Sequence, residues 1–255
     1  MRVCDGPAGA DIPPEELEAL RAKLLEVYRR LVRVFGTPER TGHLDPVSEL
    51  VSTILSQNTS DTNRDRAFAR LRARFPTWEE VRDADVRQIR EAIRPAGLSE
   101  VKAPRIKQAL QIVSEQAQGR LSLDFMNDMS VAEAKAWLTA IKGVGPKTAA
   151  IILLFSFGRP AFPVDTHIHR VGKRLALIGA RVSREKAHGI FEALIPPELY
   201  YPAHIDIIRH GREICHAQQP RCEVCPLRDL CCYYATCVER TVSGPPSLCG
   251  GTSDA

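Results

Sequence analysis

The sequence has no hydrophobic run long enough to cross a bilayer. Its longest apolar stretch covers residues 149–157, about half of the roughly 20 residues that a membrane-spanning helix needs. The first residues lack the basic and apolar regions of a signal peptide. With 44% hydrophobic and 26% charged residues, the chain is not wholly disordered, collagenous or coiled-coil. We expect a soluble intracellular protein, in the cytoplasm or nucleoid if the source is bacterial.

Alternating hydrophobic patterns of the kind that mark β-strands are also missing. Apolar residues recur instead every three or four positions, first at Leu17, Leu20 and Leu24. The pattern predicts a first helix that ends at Gly36 and a second that begins at Asp45-Pro46. Further helices are predicted at about residues 61–75, 85–94, 99–118, 130–140, 146–158, 165–178, 183–194 and 198–215. The fold class is therefore predicted to be all-α.

Acidic residues are scarce in one part of the chain. The net charge of +4 is too small to indicate a partner by itself. Residues 141–176, however, contain six Lys or Arg residues and a single acid, Asp165. This local excess of positive charge favours an anionic partner.

This basic stretch contains a glycine turn followed by a lysine. Gly143-Val144-Gly145 allows a tight turn, and Pro146 then starts a helix whose free N–H groups form a ready phosphate site. Alternatively, the turn is an ordinary connection between helices. Lys147 favours a functional role for this turn over an ordinary connection. The helix dipole disfavours a cation in the first turn by a few tenths to about 1 kcal/mol. A deprotonated lysine amine can form a Schiff base, whereas a solvated lysine would simply contact a phosphate.

An aspartate follows 18 residues after Lys147. Asp165 stands in a Val-Asp-Thr-His sequence, and an aspartate before a helical segment is most often an N-cap. A carboxylate near the lysine could instead stabilise a cationic sugar intermediate or transfer protons.

Cysteine is concentrated towards the end of the chain. Six of the eight cysteines lie between residues 215 and 237, which in a reducing compartment indicates a metal or cluster site rather than disulfides. The spacing Cys215-x6-Cys222-x2-Cys225-x5-Cys231 contains only one of the short cysteine pairs that zinc sites typically use twice. Four cysteines with one compact pair also suit a cubane cluster. The spacing alone leaves zinc and iron–sulfur open.

Residues 141–149, Ile-Lys-Gly-Val-Gly-Pro-Lys-Thr-Ala, and 164–167, Val-Asp-Thr-His, together resemble the endonuclease III family of helix-hairpin-helix DNA glycosylases. The resemblance covers about residues 15–237. It implies that Lys147 and Asp165 are the catalytic pair and that the Gly143, Val144 and Gly145 hairpin binds DNA. It also implies a [4Fe–4S] cluster on Cys215, Cys222, Cys225 and Cys231, which leaves Cys4, Cys232, Cys237 and Cys249 as free thiols.

The resemblance also suggests how the duplex is opened, because protein must fill the gap when a nucleotide leaves the stack. Asn58 matches the family's inserted glutamine, but Gln57 stands directly before it, so either residue is a candidate wedge. Leu98 matches the family's apolar wedge, with loop packing as the alternative. Arg221, between the first two cluster ligands, is a candidate phosphate contact or else a solvated side chain.

Two helical domains with an interdomain cleft are implied by the same resemblance. Residues 12–38 and 160–238 would form a discontinuous iron–sulfur cluster domain, and residues 39–159 a helical barrel that carries the hairpin. Residues 239–255 turn to Ser, Gly, Pro and Thr and are expected to be a disordered tail.

The implied function is a bifunctional DNA N-glycosylase and AP lyase in base excision repair. It would excise oxidised pyrimidines such as thymine glycol and cut 3′ to the abasic site by β-elimination through a lysine Schiff base. We expect a monomer that acts on double-stranded DNA with damaged bases or abasic sites and has no membrane partner. The alternatives are a non-enzymatic hairpin module that binds DNA, with a structural metal site, an electron-transfer protein, and a monofunctional mismatch glycosylase.

Overall fold

The computed structural model describes residues 6–40 and 43–238. These ranges contain no β-strand, which confirms the predicted all-α class. The predicted disordered tail, residues 239–255, lies outside the described residues. The α-helices of the described part are α1 (Pro14–Phe35), α2 (Pro46–Ser56), α3 (Asp61–Arg74), α4 (Trp78–Asp83), α5 (Val86–Ala92), α6 (Ser99–Gln116), α7 (Val131–Ala140), α8 (Pro146–Ile151), α9 (Thr166–Arg174), α10 (Arg184–Leu194) and α11 (Tyr200–Glu213).

The chain divides into two compact units. The first, which we call the terminal unit, comprises the described residues up to Glu39 and from Val164 onward. It contains α1, α9, α10, α11 and residues 215–237, which we call the cysteine segment. The second, the central unit, runs from Arg40 to Pro163 and contains α2 to α8.

The central unit is built on one hydrophobic core. Helix α6 packs against α2, α4 and α5, and its Ile106 and Leu110 are fully buried. Leu50 and Ile54 of α2 are buried in the same core. Helix α2 is capped by Asp45, whose Oδ1 accepts hydrogen bonds from two backbone N–H groups at 3.1 and 2.9 Å. This N-cap and the apolar face together fix where α2 starts and which way it faces.

Helix α4 is absent from the sequence prediction. It has six residues and is capped by Thr77, whose Oγ1 accepts a hydrogen bond from the Glu80 N–H at 3.2 Å. Six residues are too few for a helical period to stand out. Thr-x-x-Glu is nevertheless a known signature of a helix start, so a search for caps would have found α4.

Two other predicted helices end differently. The helix predicted at 146–158 is α-helical only to Ile151 and continues as a π-helical turn, Ile152–Ser156. The helix predicted at 165–178 ends at Arg174. It stops there because Ala176 has a φ of +53°, which is incompatible with a continuing right-handed helix.

In the terminal unit, α11 packs against both α1 and α9, and Asp206 of α11 lies in its interior. This aspartate is 1% exposed, and within the described residues its Oδ2 has no hydrogen-bond partner. Burial raises the pKa of its carboxyl to about 6, and Arg209 opposes the shift only in part. At neutral pH the carboxyl must therefore ionise inside the fold without a full complement of partners.

Asp206→Asn is expected to stabilise the protein near neutral pH. Because the folded-state pKa of about 6 exceeds the usual value of about 3.9, this carboxyl stabilises the fold while protonated. That contribution is lost as the pH rises from about 4 to about 6. Two pKa units correspond to about 3 kcal/mol. Thermal unfolding should show the full gain at about pH 8 and a smaller one at about pH 5.

The exposed Asp128 provides the matched control, since Asp128→Asn removes the same charge without a buried carboxyl. It should leave the unfolding temperature unchanged at both pH values. A gain for Asp206→Asn that did not depend on pH would show that ionisation is not its cause.

Candidate active site and iron–sulfur centre

The turn between α7 and α8 forms the hairpin that the sequence predicts. Gly143 has a φ of +91°, and the Val144 N–H donates to the Ile141 carbonyl at 2.9 Å. The Val144 side chain is 4% exposed and anchors the turn in the core. A Cβ on Gly143 would lie 2.7 Å from Cδ of Arg105. Both the backbone conformation and the close arginine therefore require glycine at this position.

Lys147 is the second residue of α8, directly after Pro146. Its side chain is exposed, and no hydrogen bond or ion pair joins it to any other described residue. The N-terminal N–H groups of α8 donate no hydrogen bond to a capping side chain. An uncommitted amine thus stands beside free backbone donors at the positive end of a helix dipole.

Asp165 belongs to the terminal unit, whereas Lys147 belongs to the central unit. Its side chain is 8% exposed, and its Oδ1 accepts a hydrogen bond from the Ile168 N–H at 2.8 Å. Asp165 is therefore the N-cap of α9, as the structural alternative predicted. Nothing in the described ranges donates to Oδ2, so one carboxylate oxygen remains available for chemistry.

The two candidate polar wedges lie in different environments. Gln57 is half-buried, and its Nε2 donates to the Gly143 carbonyl at 2.7 Å. Asn58 is exposed and has a φ of +50°. The apolar candidate, Leu98, is 55% exposed and has a φ of +48°, so more than half of its surface is open to solvent.

The four predicted ligands, Cys215, Cys222, Cys225 and Cys231, line one cavity of the terminal unit. Arg174 lies beside them: its Nη1 donates to Sγ of Cys215 at 3.2 Å, and its carbonyl accepts from Sγ of Cys231 at 3.4 Å. No three His, Cys, Asp or Glu side chains of the described part converge closely enough to hold a single metal ion. The four thiols line the same cavity, and four cysteine thiolates are the usual ligands of an iron–sulfur cluster.

In the absence of iron, burial disfavours the thiolate forms of three of these cysteines. Burial raises the pKa of Cys225 to about 11 and raises the pKa values of Cys222 and Cys231 as well. Cluster ligands must be thiolates. Bound iron supplies the positive charge that stabilises four thiolates in so small a space.

Three further residues of this part of the chain are Arg221, Cys232 and Cys237. Arg221 lines the same cavity, its side chain is exposed, and its N–H donates to the Ile214 carbonyl at 2.9 Å. Cys237 was expected to be a free thiol, and that prediction is wrong, because it is disulfide-bonded. Cys232 is free and buried.

The model of the HhH-GPD superfamily of base excision DNA repair proteins matches residues 51–197. The family model of the iron–sulfur binding domain of endonuclease III matches residues 215–231. The chain belongs to the HhH-GPD superfamily of base excision DNA repair proteins. It is an endonuclease III-like DNA glycosylase, and both the predicted resemblance and the predicted [4Fe–4S] cofactor are confirmed.

Curated relatives agree with this membership. Endonuclease III of Thermotoga maritima is 34% identical over 209 residues, which cover 82% of this chain and 92% of that protein. Endonuclease III of Escherichia coli K12 is 32% identical over 216 residues, covering 84% and 96%. The putative DNA glycosylase At3g47830 of Arabidopsis thaliana is 38% identical over 188 residues, 70% of this chain and 64% of that longer protein.

Solved structures show the same fold. A non-covalent endonuclease III–DNA complex superposes with a TM-score of 0.74 at 26% identity, covering 87% of this chain and 98% of that one. A trapped covalent endonuclease III–DNA intermediate gives 0.73 at 27% identity, covering 88% and 98%. No helix within residues 6–40 and 43–238 is long and apolar enough to cross a membrane.

Sequence reasoning missed the fully buried lysine Lys102 on α6. Lys102 precedes Ile106, Ala109 and Val113 on the buried face of that helix. A lysine in register with an apolar stripe is unusual, and this register is the signal that could have revealed it.

Proposed function

We propose that this glycosylase is bifunctional and excises oxidised pyrimidines such as thymine glycol from duplex DNA. The observation that carries the proposal is the state of Lys147. Its amine is exposed and unpaired among the described residues, in the first turn of α8. That is an electrostatically unfavourable place for a lysine with only a structural role, and it suits a nucleophile.

The proposed reaction begins with attack by Nζ of Lys147 on C1′ of the extruded damaged nucleotide. The bond between C1′ and the base breaks, and the base takes the bonding electron pair and a proton. The carboxylate of Asp165 stabilises the positive charge that develops on the sugar. The lone pair of the secondary amine then expels O4′, so the bond between C1′ and O4′ breaks, O4′ takes a proton, and a protonated Schiff base forms at C1′. Loss of a C2′ proton expels the 3′ phosphate, which cuts the strand by β-elimination.

The loops of the central unit are the proposed DNA contacts. The backbone N–H groups of the hairpin and of the α8 N-terminus would bind a phosphate. We assign Asn58 as the polar wedge, because its side chain is exposed while that of Gln57 is engaged with Gly143. Leu98 would be the apolar wedge, since more than half of its surface is open to solvent.

The terminal unit would contribute its cysteine segment. Cys215, Cys222, Cys225 and Cys231 would hold the cluster, which when bound ties these thiolates together by iron–sulfur bonds. The exposed Arg221, within that segment, would contact a phosphate. We further propose that the terminal unit is the cluster domain, that the central unit is the barrel domain, and that the protein acts as a monomer.

Borohydride trapping tests this function. The holoprotein is incubated with duplexes that contain one thymine glycol or one abasic site, with and without sodium borohydride. We expect a covalent protein–DNA adduct with borohydride and a nick 3′ to the site without it, because reduction fixes the Schiff base. Base release with neither adduct nor nick would identify a monofunctional glycosylase. Salt-dependent binding with no base release would identify a non-enzymatic DNA-binding module.

A further inference from the structure

Lys102 is a buried cation that joins two loops of the central unit. It is 1% exposed, and its Nζ donates to the Leu55 carbonyl and to the Ala96 carbonyl, each at 2.8 Å. Leu55 lies in the last turn of α2, where carbonyl groups lack intrahelical partners. Ala96 ends the short turn just before Leu98. One ammonium group therefore fixes the start of the Asn58 loop, residues 57–60 between α2 and α3, relative to the Leu98 loop, residues 93–98 between α5 and α6.

This arrangement is unfavourable for a residue that only fills space. No carboxylate among the described residues pairs with Lys102, and burial lowers the pKa of its amine. Burying an unpaired charge is expensive, whereas an apolar side chain at the same helix position would avoid that expense. The presence of a lysine at this position is thus explained by its hydrogen bonds to two carbonyl groups, and not by packing in the core.

Arg105, one helical turn after Lys102, makes a second connection. Its Nη1 donates to Oε1 of Gln57 at 3.3 Å, and Nε2 of the same glutamine donates to the Gly143 carbonyl at 2.7 Å. The aliphatic part of Arg105 lies directly against Gly143. Gln57 therefore links the Asn58 loop to the hairpin, and Arg105 holds both ends of that link.

We propose that Lys102 and Arg105 are positioning residues, which together with Gln57 hold the Asn58 loop, the Leu98 loop and the hairpin in one fixed arrangement. The proposal rests on the proposed function, in which these three loops contact DNA. The side chains of Lys102, Arg105 and Gln57 act by holding these loops in place and contact no reacting atom. Gln57 then has a structural role, because it connects the Asn58 loop to the hairpin. The shorter Asn58 is left to fill the gap opposite the extruded nucleotide.

The test compares Gln57→Ala, Arg105→Met and the double variant. Methionine keeps an aliphatic chain against Gly143 but removes the guanidinium donor. A duplex with 2-aminopurine beside a tetrahydrofuran abasic analogue reports base unstacking without any chemistry. Single-turnover excision from a thymine glycol duplex and β-elimination on a single-stranded abasic oligonucleotide give the ratio of duplex to single-strand rates.

Arg105→Met should weaken the 2-aminopurine signal and lower the rate ratio about tenfold, the effect of losing one hydrogen bond of about 1.4 kcal/mol. Gln57→Ala breaks both of its hydrogen bonds and should lower the ratio by at least about tenfold. The double variant should lose no more than Gln57→Ala alone, because the bond that Arg105→Met removes is already broken there. Lys102→Arg, which keeps the charge but alters the reach of its donors, should also lower the ratio. It is preferable to Lys102→Met, which would leave two buried carbonyl groups without partners.

Lys107→Met is the matched control. Lys107 is on the same helix, and its Nζ donates to the Ala84 carbonyl at 2.6 Å, which belongs to none of the three loops. This variant should retain the wild-type rate ratio and 2-aminopurine signal. The proposal is overturned if Gln57→Ala and Arg105→Met match the wild type, or if duplex and single-strand rates fall equally. Wild-type protein that unstacks the duplex without releasing any base would refute the proposed function alone.

Discussion

Lys147→Gln is expected to abolish borohydride trapping and strand cleavage while leaving binding to a damaged duplex intact. The substitution removes the amine that would form the Schiff base, and no hydrogen bond or ion pair of the described residues is lost with it. Losing the nucleophile of a covalent mechanism lowers the rate by on the order of 10⁴-fold or more. Single-turnover kinetics and adduct yield measure the loss directly.

The fold should tolerate Lys147→Gln without difficulty. Lys147 is exposed in the first turn of α8, where removing a positive charge relieves an unfavourable interaction of about 0.3–1 kcal/mol with the helix dipole. Lys142→Gln, at the other exposed lysine of this hairpin, is the control and should form adduct like the wild type. A Lys147→Gln protein that still formed the adduct would show that another amine is the nucleophile.

Asp165→Asn is expected to lower glycosylase activity by about 10²–10³-fold, the range typical of losing one group that stabilises charge in the transition state. Asparagine caps helices about as well as aspartate, so the cap of α9 at the Ile168 N–H should survive. The unfolding temperature should therefore barely change, and the loss of rate can be attributed to the loss of charge. Single-turnover rates and thermal unfolding of the same samples separate the two effects.

Two further variants complete the comparison. Asp165→Ala removes charge and cap together and should additionally destabilise the protein by about 1 kcal/mol. Asp45→Asn makes the same chemical change at the N-cap of α2 and should leave the activity unchanged. If Asp165→Asn excises bases at the wild-type rate, Asp165 serves only as a helix cap.

The sequence predicts most of this fold because its helices are amphipathic and begin and end with recognisable residues. The helices near Leu24 and Ile54 follow from periodicity, and the hairpin follows from two glycines and a proline. Helix α4 could not be predicted from periodicity, because its six residues do not complete two turns. The π-helical turn after α8 could not be predicted either, since it alters the hydrogen-bond pattern of an apolar stretch without changing its composition.

The candidate site is predictable only where its residues form local motifs. The cysteine spacing and Lys147 are local features and can be read directly. Gln57 and Asn58 could not be distinguished from the sequence, because the hydrogen bond that separates them joins residues 86 positions apart. Lys102 escaped for the same reason: one of its two carbonyl acceptors lies 47 positions away.

The conformation of Leu98 that would help to open the DNA duplex also lowers the thermal stability of the protein. At a φ of +48°, Leu98 adopts a left-handed backbone conformation that costs a residue with a Cβ roughly 1–2 kcal/mol. Because most of its side chain is exposed, burial does not offset this cost. Glycine or asparagine would relieve that strain. Laboratory evolution of this enzyme for heat tolerance should therefore target Leu98 early, and the improved variants would lose the side chain that we assign to opening the duplex.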